Sequence, residues 1–220
     1  MQRSGFLALT LAAPVISTLR IVALGDSLAL GVGASSPANG FIFRSFLDVR
    51  KQYPLARIDD YAIGGSTASD VRRLQVGRLG GVPADVVIVC DGGNDVVQRI
   101  SPHAFATTYR ELVSAVRKAA PRAAIVCCGV PDVGMSPLFT GNDHATMQHL
   151  SREHDATVRD VARAAAASFV DLYAVSLRAH NDVDRFLSDD RFHPSDVGYA
   201  LFANALSPVL LRAIDGRRRT

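Results

Sequence analysis

The run Asp85-Val86-Val87-Ile88-Val89-Cys90 constrains the fold of this chain more than any other stretch. Its apolar residues follow one another without the polar alternation of a strand that has one face in water. Both faces of such a strand are covered, as in a parallel sheet packed between two layers of helix. Four further runs read as strands: residues 20–24, 57–63, 123–128 and 168–172. Helical patterns separate them. Residues 41–53 set Phe43, Phe46, Leu47 and Arg50 at helical spacing, and Pro54 stops that run. Residues 68–78 set Val71, Leu74 and Arg78 along one side. Ser101-Pro102 opens a helix to about residue 119, with proline at its first position. Residues 143–167 and 195–212 supply two more helices, and residues 129–142 and 173–194 read as long irregular loops.

Alternating strands and helices define an α/β chain: a three-layer α/β/α sandwich with a five-stranded parallel sheet and right-handed crossovers. Five strands in this length fit a flavodoxin-like order, 2-1-3-4-5. In that order the loops after strands 1, 2 and 3 meet at the carboxyl edge, and these loops carry Ser27, Gly65 and Asn94.

With 220 residues, 48% hydrophobic and 20% charged, the chain suits one soluble domain, placed at residues 20–212. Residues 213–220 read as a basic tail, and Arg217-Arg218-Arg219 as a solvated terminus and not a nucleic-acid contact, given a net charge of only +3. Residues 1–19 read as an extension or signal-like segment: Phe6 to Ile16 is apolar but too short to span a bilayer as a helix. Pro14 falls where cleavage after Ala13 would occur, so the cytoplasm is slightly favoured and export stays open. Cys90, Cys127 and Cys128 end apolar runs and read as buried free thiols; an odd count argues against a disulfide-built secreted domain.

Chemistry concentrates at a few positions. Gly25-Asp26-Ser27-Leu28 turns the first strand into a helix and places a hydroxyl where backbone N–H groups point outward. Ser27 is either a helix cap or a nucleophile whose own amide helps hold the charge made by its attack. A serine nucleophile needs a base, and His193 stands just before the last helix with Asp190 three residues upstream. His144, His149 and His154 are five apart, which splays them around a helix: they read as an exposed polar face and not a metal site. His180 sits in a loop without an evident partner. Asn94 can aim a side-chain N–H at Ser27, and Gly65 offers a backbone N–H, with Gly64 a rival for that role.

Gly25-Asp26-Ser27-Leu28, the glycine of Gly64-Gly65-Ser66-Thr67, Gly92-Gly93-Asn94-Asp95 and Asp190-x-x-His193-Pro194 occur in the order and spacing of the four blocks of the SGNH/GDSL hydrolase family, which the chain resembles from residue 21 to about 206. The resemblance implies the flavodoxin-like sandwich and hydrolysis of esters or thioesters without metal or cofactor. It also implies roles: nucleophile Ser27, base His193, orienting Asp190, and an oxyanion hole of Gly65, Asn94 and the Ser27 amide. One departure is Asp60, near a place where the family often carries asparagine.

Neither a Gly-x-Ser-x-Gly elbow nor a phosphate-binding glycine loop is present, which disfavours an α/β-hydrolase layout and a nucleotide-binding module. The expectation is a serine esterase for a small-molecule ester, of acyl-ester or lysophospholipid type. The alternatives are a carbohydrate acetyl-esterase or thioesterase of the same family, a non-catalytic acyl- or glycan-binding module, and a flavodoxin-like phosphate- or flavin-binding domain. Val133, Met135, Leu138 and Phe139 are the expected apolar acyl site.

Overall fold

The structure is a computed structural model and describes residues 18–218; the signal-like stretch 6–16 and Arg219 lie outside the described residues. Strands β1 (Arg20–Gly25), β2 (Arg57–Asp60), β3 (Val86–Cys90), β4 (Ala124–Cys128) and β5 (Ser168–Val170) form one parallel sheet in the order β2-β1-β3-β4-β5. The helices are α1 (Ser27–Leu30), α2 (Phe41–Gln52), α3 (Ala68–Asp70), α4 (Gly93–Val97), α5 (Pro102–Ala119), α6 (Gly141–Ala164), α7 (Leu172–Arg178), α8 (Val183–Phe186) and α9 (Asp196–Arg218).

The all-apolar β3 explains the two layers. Val86, Ile88 and Cys90 face a core built with Phe41 and Phe46 of α2 and Tyr199, Phe202 and Leu206 of α9. Val87 and Val89 face a second core with Phe105, Tyr109 and Leu112 of α5 and Met147 and Val158 of α6. Alternate side chains of one strand therefore serve both cores, and no polar residue is tolerated between them.

Several elements differ from the sequence reading. The buried face of α2 is Phe41, Ile42, Ser45, Phe46 and Val49; of the expected stripe only Phe46 belongs to it, and Phe43 and Leu47 are 38% and 41% exposed. Ser45 is small enough for α9 to close on α2, its hydroxyl 3.5 Å from the Ala203 carbonyl oxygen. The helix expected over 68–78 is broken. After α3 the chain widens into a π turn at Val71–Gln75, closed by Val76 N–H on Val71 O, and tightens into a 3-10 turn at Val76–Leu79. Around the wide turn Gln75 and Val76 are buried and Leu74 is 43% exposed.

β2 is shorter than expected and ends opposite Ala23. The stretch read as irregular holds α7, capped by Asp171 Oδ1 accepting from Ala174 N–H at 2.9 Å, and the single turn α8. Helix α9 continues past Arg212: Ala213 and Ile214 are buried, and Arg217 pairs with Asp85 at 2.6 Å. By length and composition α9 could cross a membrane, yet half of that window is buried here as a core helix packed on α2, β4 and β5.

Candidate active site

At the carboxyl edge, β1 ends in Gly25, where a Cβ would stand 1.9 Å from the Cys90 carbonyl oxygen; only glycine lets β3 approach so closely. Asp26 then caps α1, its Oδ1 accepting from Leu28 N–H at 2.9 Å. Ser27 is thus the first residue of a four-residue helix, and its N–H has no partner among the described residues. The capping role that competed for Ser27 belongs to its neighbour, which leaves the Ser27 hydroxyl for other work.

That hydroxyl donates to His193 Nε2 at 2.9 Å, and His193 Nδ1–H donates to Asp190 Oδ2 at 2.6 Å. A tight loop makes this possible. Asp190 Oδ1 accepts from the N–H groups of Phe192 and His193 at 2.8 and 2.9 Å and from the Ser188 hydroxyl at 2.8 Å. Ser188 N–H closes on His193 O at 2.8 Å, and Leu187 bridges Pro194. Arg191 takes φ +60 at the turn, a strained conformation for a residue with a side chain; Ser136 holds it by donating to the Arg191 carbonyl at 2.7 Å. Partial burial pushes the Asp190 carboxyl up, but hydrogen bonds from His193, Phe192 and Ser188 outweigh it and hold the group well below the usual carboxylate range. Asp190 is therefore an acceptor at every pH at which a histidine base is neutral.

Asn94 lies in the first turn of α4 and Gly64-Gly65 in the loop after β2, and both come to the same edge. Asn94 Nδ2 donates to Ser66 O at 3.0 Å and lies 3.3 Å from Asp26 Oδ2. A Cβ on Gly64 would be 4.0 Å from Ser27 Cβ, and Gly65 adopts φ +81 in a turn closed by Ser66 N–H on Ile63 O at 3.2 Å. Both glycine N–H groups lack partners among the described residues. Ser27, His193, Asn94 and Gly93 share the wall of a cavity of about 60 Å³ with Val133, Met135, Phe186 and Phe202. Leu138, by contrast, is 59% exposed, and Phe139 stands behind Phe192, edge-on to its ring; neither lines the cavity.

Three carboxyls lie beneath this site. Burial, aided by the Asp95 charge, pushes Asp26 up to about 7. Burial pushes Asp95 up to about 6, and burial with the charges of Asp95 and Asp26 raises Asp91 well above the carboxylate range. Among the described residues Asp91 has no hydrogen-bond partner on either oxygen, and burial holds it as a neutral acid.

Other expectations change. His154 is fully buried, stacked on Phe105 at 4.1 Å, and donates through Nε2 to Ile100 O at 3.1 Å; it is a core residue and not part of an exposed face. Burial pulls its pKa down to about 4. His180 has a neighbour after all, with Nε2 2.9 Å from Asp132 Oδ2. The three cysteines are buried free thiols, as expected. Among the described residues no group of three or more His, Cys, Asp or Glu is placed to hold a metal. Sequence reasoning missed Gln75, which is completely buried and bonded to both polar groups of Gly25; a lone glutamine one position off the expected apolar stripe was the available signal.

The doubly wound α/β sandwich thus sets a hydroxyl, an imidazole and a carboxylate in line at its carboxyl edge. The family model of the GDSL-like lipase/acylhydrolase family matches residues 23–201, and the chain belongs to that family, whose chemistry is carboxylic ester hydrolysis. A GDSL-like esterase of Mycobacterium tuberculosis, Rv1075c, is 28% identical over 207 residues, covering 89% of this chain; the chain spans 63% of that relative's length. Among solved structures, a GDSL-like lipase from Parabacteroides merdae superposes with a TM-score of 0.74 at 18% identity, covering 87% of this chain and 95% of that one. The lipase Lip_vut3 from a goat rumen metagenome gives 0.69 at 21% identity, covering 87% and 97%. Axe2, an acetylxylan esterase from Geobacillus stearothermophilus, gives 0.64 at 22% identity, covering 89% and 94%. At these identities the structural likeness concerns the fold.

Proposed function

We propose that the chain is a serine esterase that passes an acyl group through Ser27. Ser27 Oγ attacks the ester carbonyl while His193 Nε2 takes its proton, and Asp190 keeps the ring oriented and stabilises the imidazolium that forms. The tetrahedral oxyanion is held by the Ser27 N–H, the Gly65 N–H and Asn94 Nδ2, each worth about 3–4 kcal/mol in the transition state. His193 returns the proton to the leaving alkoxide. Water, activated by the same imidazole, then releases the acid. The observation that carries this reading is the unbroken chain Ser27–His193–Asp190, with links of 2.9 and 2.6 Å.

The substrate follows from the cavity beside Ser27. A single water needs roughly 10–15 Å³ of such volume, so about 60 Å³ takes an acyl group of only a few carbon atoms. Its apolar wall of Val133, Met135, Phe186 and Phe202 suits an alkyl group. This favours a short-chain acyl ester, acetyl esters and thioesters included, over a long-chain lysophospholipid.

Assay of Ser27→Ala and His193→Ala on para-nitrophenyl acetate tests the mechanism; each should lose about 10⁴-fold or more in kcat. Stoichiometric labelling of Ser27 by an organophosphonate separates the enzyme from a non-catalytic binding module, because an unactivated serine does not react. Full activity in either variant refutes the mechanism, and a flat response to acyl length from acetyl to octanoyl refutes the substrate class.

A further inference from the structure

We propose that Gln75 is a positioning residue for the oxyanion hole, its buried carboxamide holding the nucleophile turn and the two donor loops in register. The inference rests on the reading of Ser27 and Asn94 as the reacting centre.

The argument begins where the sheet comes apart. β2 ends at Asp60, opposite Ala23, although β1 continues to Gly25. The segment that leaves β2 still donates to β1, through Tyr61 N–H on Ala23 O at 2.9 Å and Ile63 N–H on Gly25 O at 3.0 Å. It no longer offers an acceptor to Gly25 N–H, because it is swinging outward to carry Gly64 and Gly65 toward Ser27. A buried N–H left without an acceptor in that position is destabilising. Gln75 fills the gap. Its Oε1 accepts from Gly25 N–H at 2.8 Å and its Nε2 donates to Gly25 O at 2.8 Å. The side-chain amide thus supplies the acceptor that β2 no longer offers to Gly25 N–H, and adds a second donor to the Gly25 carbonyl beside Ile63 N–H.

The same Nε2 lies 3.3 Å from the Ser66 hydroxyl, and the Ser66 carbonyl receives Asn94 Nδ2 at 3.0 Å. One carboxamide therefore touches the β1 turn two residues before Ser27 and the β2 loop one residue after Gly65. Through Ser66 it reaches the β3 loop at Asn94. Gln75 stands four residues after buried Val71 and seven after buried Ala68, on the inner face, and the π turn at Val71–Gln75 leaves Leu74 outside, 43% exposed. Gln75 touches no substrate atom; it acts by fixing where the donors point.

Two variants of the full chain test this. Gln75→Met keeps the length and loses all three hydrogen bonds, two to Gly25 and one to Ser66. It should lower kcat on para-nitrophenyl acetate about 10- to 100-fold, the scale of a misplacement near 1 Å, with KM within about twofold. Phosphonate labelling of Ser27 should slow in the same proportion. Gln75→Glu separates positioning from packing. As a neutral acid it still accepts from Gly25 N–H and donates to Gly25 O; ionised, it sets a negative oxygen against that carbonyl. The ratio of its kcat to wild type should therefore fall as pH rises between about 6 and 9, a buried carboxyl titrating in that range.

A folded Gln75→Met with kcat and labelling rate within twofold of wild type overturns the proposal, as does a loss equal to the unfolded fraction read by circular dichroism. Should Gln75→Met not fold, the Gln75→Glu ratio decides, and a ratio flat with pH overturns it. Ser27→Ala separates the two failures. If Ser27→Ala is active, the active-site reading falls and takes the clamp with it; if it is inactive while the Gln75 variants match wild type, the clamp alone is wrong.

Discussion

Gly33 lies directly against His193: a Cβ on Gly33 would stand 2.8 Å from His193 Cβ, and equally close to the Pro194 carbonyl oxygen and the Ser188 hydroxyl. The loop after α1 and the loop before α9 are therefore pressed together at a point where only hydrogen fits. Tyr199 reinforces the contact by donating to Val32 O at 2.6 Å.

Gly33→Ala should consequently disturb the imidazole and not the fold at large. The new methyl must displace the His193 loop, and φ +91 adds backbone strain of about 1–2 kcal/mol. Steady-state kinetics should show kcat reduced about 10- to 100-fold with a chain that is still folded by circular dichroism. Wild-type kcat in this variant would show that the His193 loop yields without consequence.

Asp190→Asn leaves the loop's shape but removes the charge and lets the amide donate where only acceptance is useful. Activity should fall by about 10³- to 10⁴-fold in a chain still folded by circular dichroism, and phosphonate labelling of Ser27 should slow with it. Because the Asp190 carboxyl is held below its unfolded value, its contribution to stability is present above about pH 4 and is lost as pH falls further.

The carboxyls beneath the site act on stability with the opposite sign. Asp26 at about 7 and Asp95 at about 6 bind protons more tightly folded than unfolded, where such groups titrate near ~4. Stability is therefore greatest below that unfolded value and declines as pH rises through about 7, by on the order of 4 kcal/mol for a group shifted as far as Asp26. Melting temperatures recorded between about pH 5 and pH 8 should fall, and Asp26→Asn, which keeps an acceptor for Leu28 N–H, should flatten that decline.

His154 sets a separate acid limb. Its folded value of about 4 lies below the unfolded ~6.5, so the stability it contributes is full above the latter and is lost as pH falls toward the former. His154→Gln preserves a donor for Ile100 O and cannot be protonated. Its melting temperature should vary less than wild type across that interval, and an unchanged slope would assign the limb to other groups.

Acyl-length preference tests the cavity wall residue by residue. Met135 lines it, and Met135→Ala should raise turnover of butyryl and hexanoyl esters relative to acetyl by about tenfold, the discrimination an apolar pocket achieves per carbon or two. Leu138→Ala, at an exposed position off the wall, should leave the ratio within about twofold.

The sheet was legible because its signals are local. Val86 to Cys90 has no polar residue to spend on water, so two helical layers and a parallel neighbour on each side follow from composition of a single strand. The order of the strands, and the meeting of the loops that carry Ser27, Gly65 and Asn94, follow from that architecture. The stripe of α2 was misplaced because Phe43 and Leu47 are larger than Ser45, yet closeness to α9 favours the small side chain. The break at Val71–Gln75 was invisible because a π turn leaves no compositional mark.

By itself the sequence determined the sandwich and the strand order, since apolar runs, turn glycines and short polar blocks act over a few positions. Tertiary structure alone decided that Asp26 and not Ser27 caps α1, that His154 is buried, that Leu138 stays outside the cavity and that Gln75 completes the edge of β1. Each of those depends on which surfaces distant segments present to one another. A pairing across 166 positions, such as His193 with Ser27, is set by how the whole chain packs and not by any stretch of it.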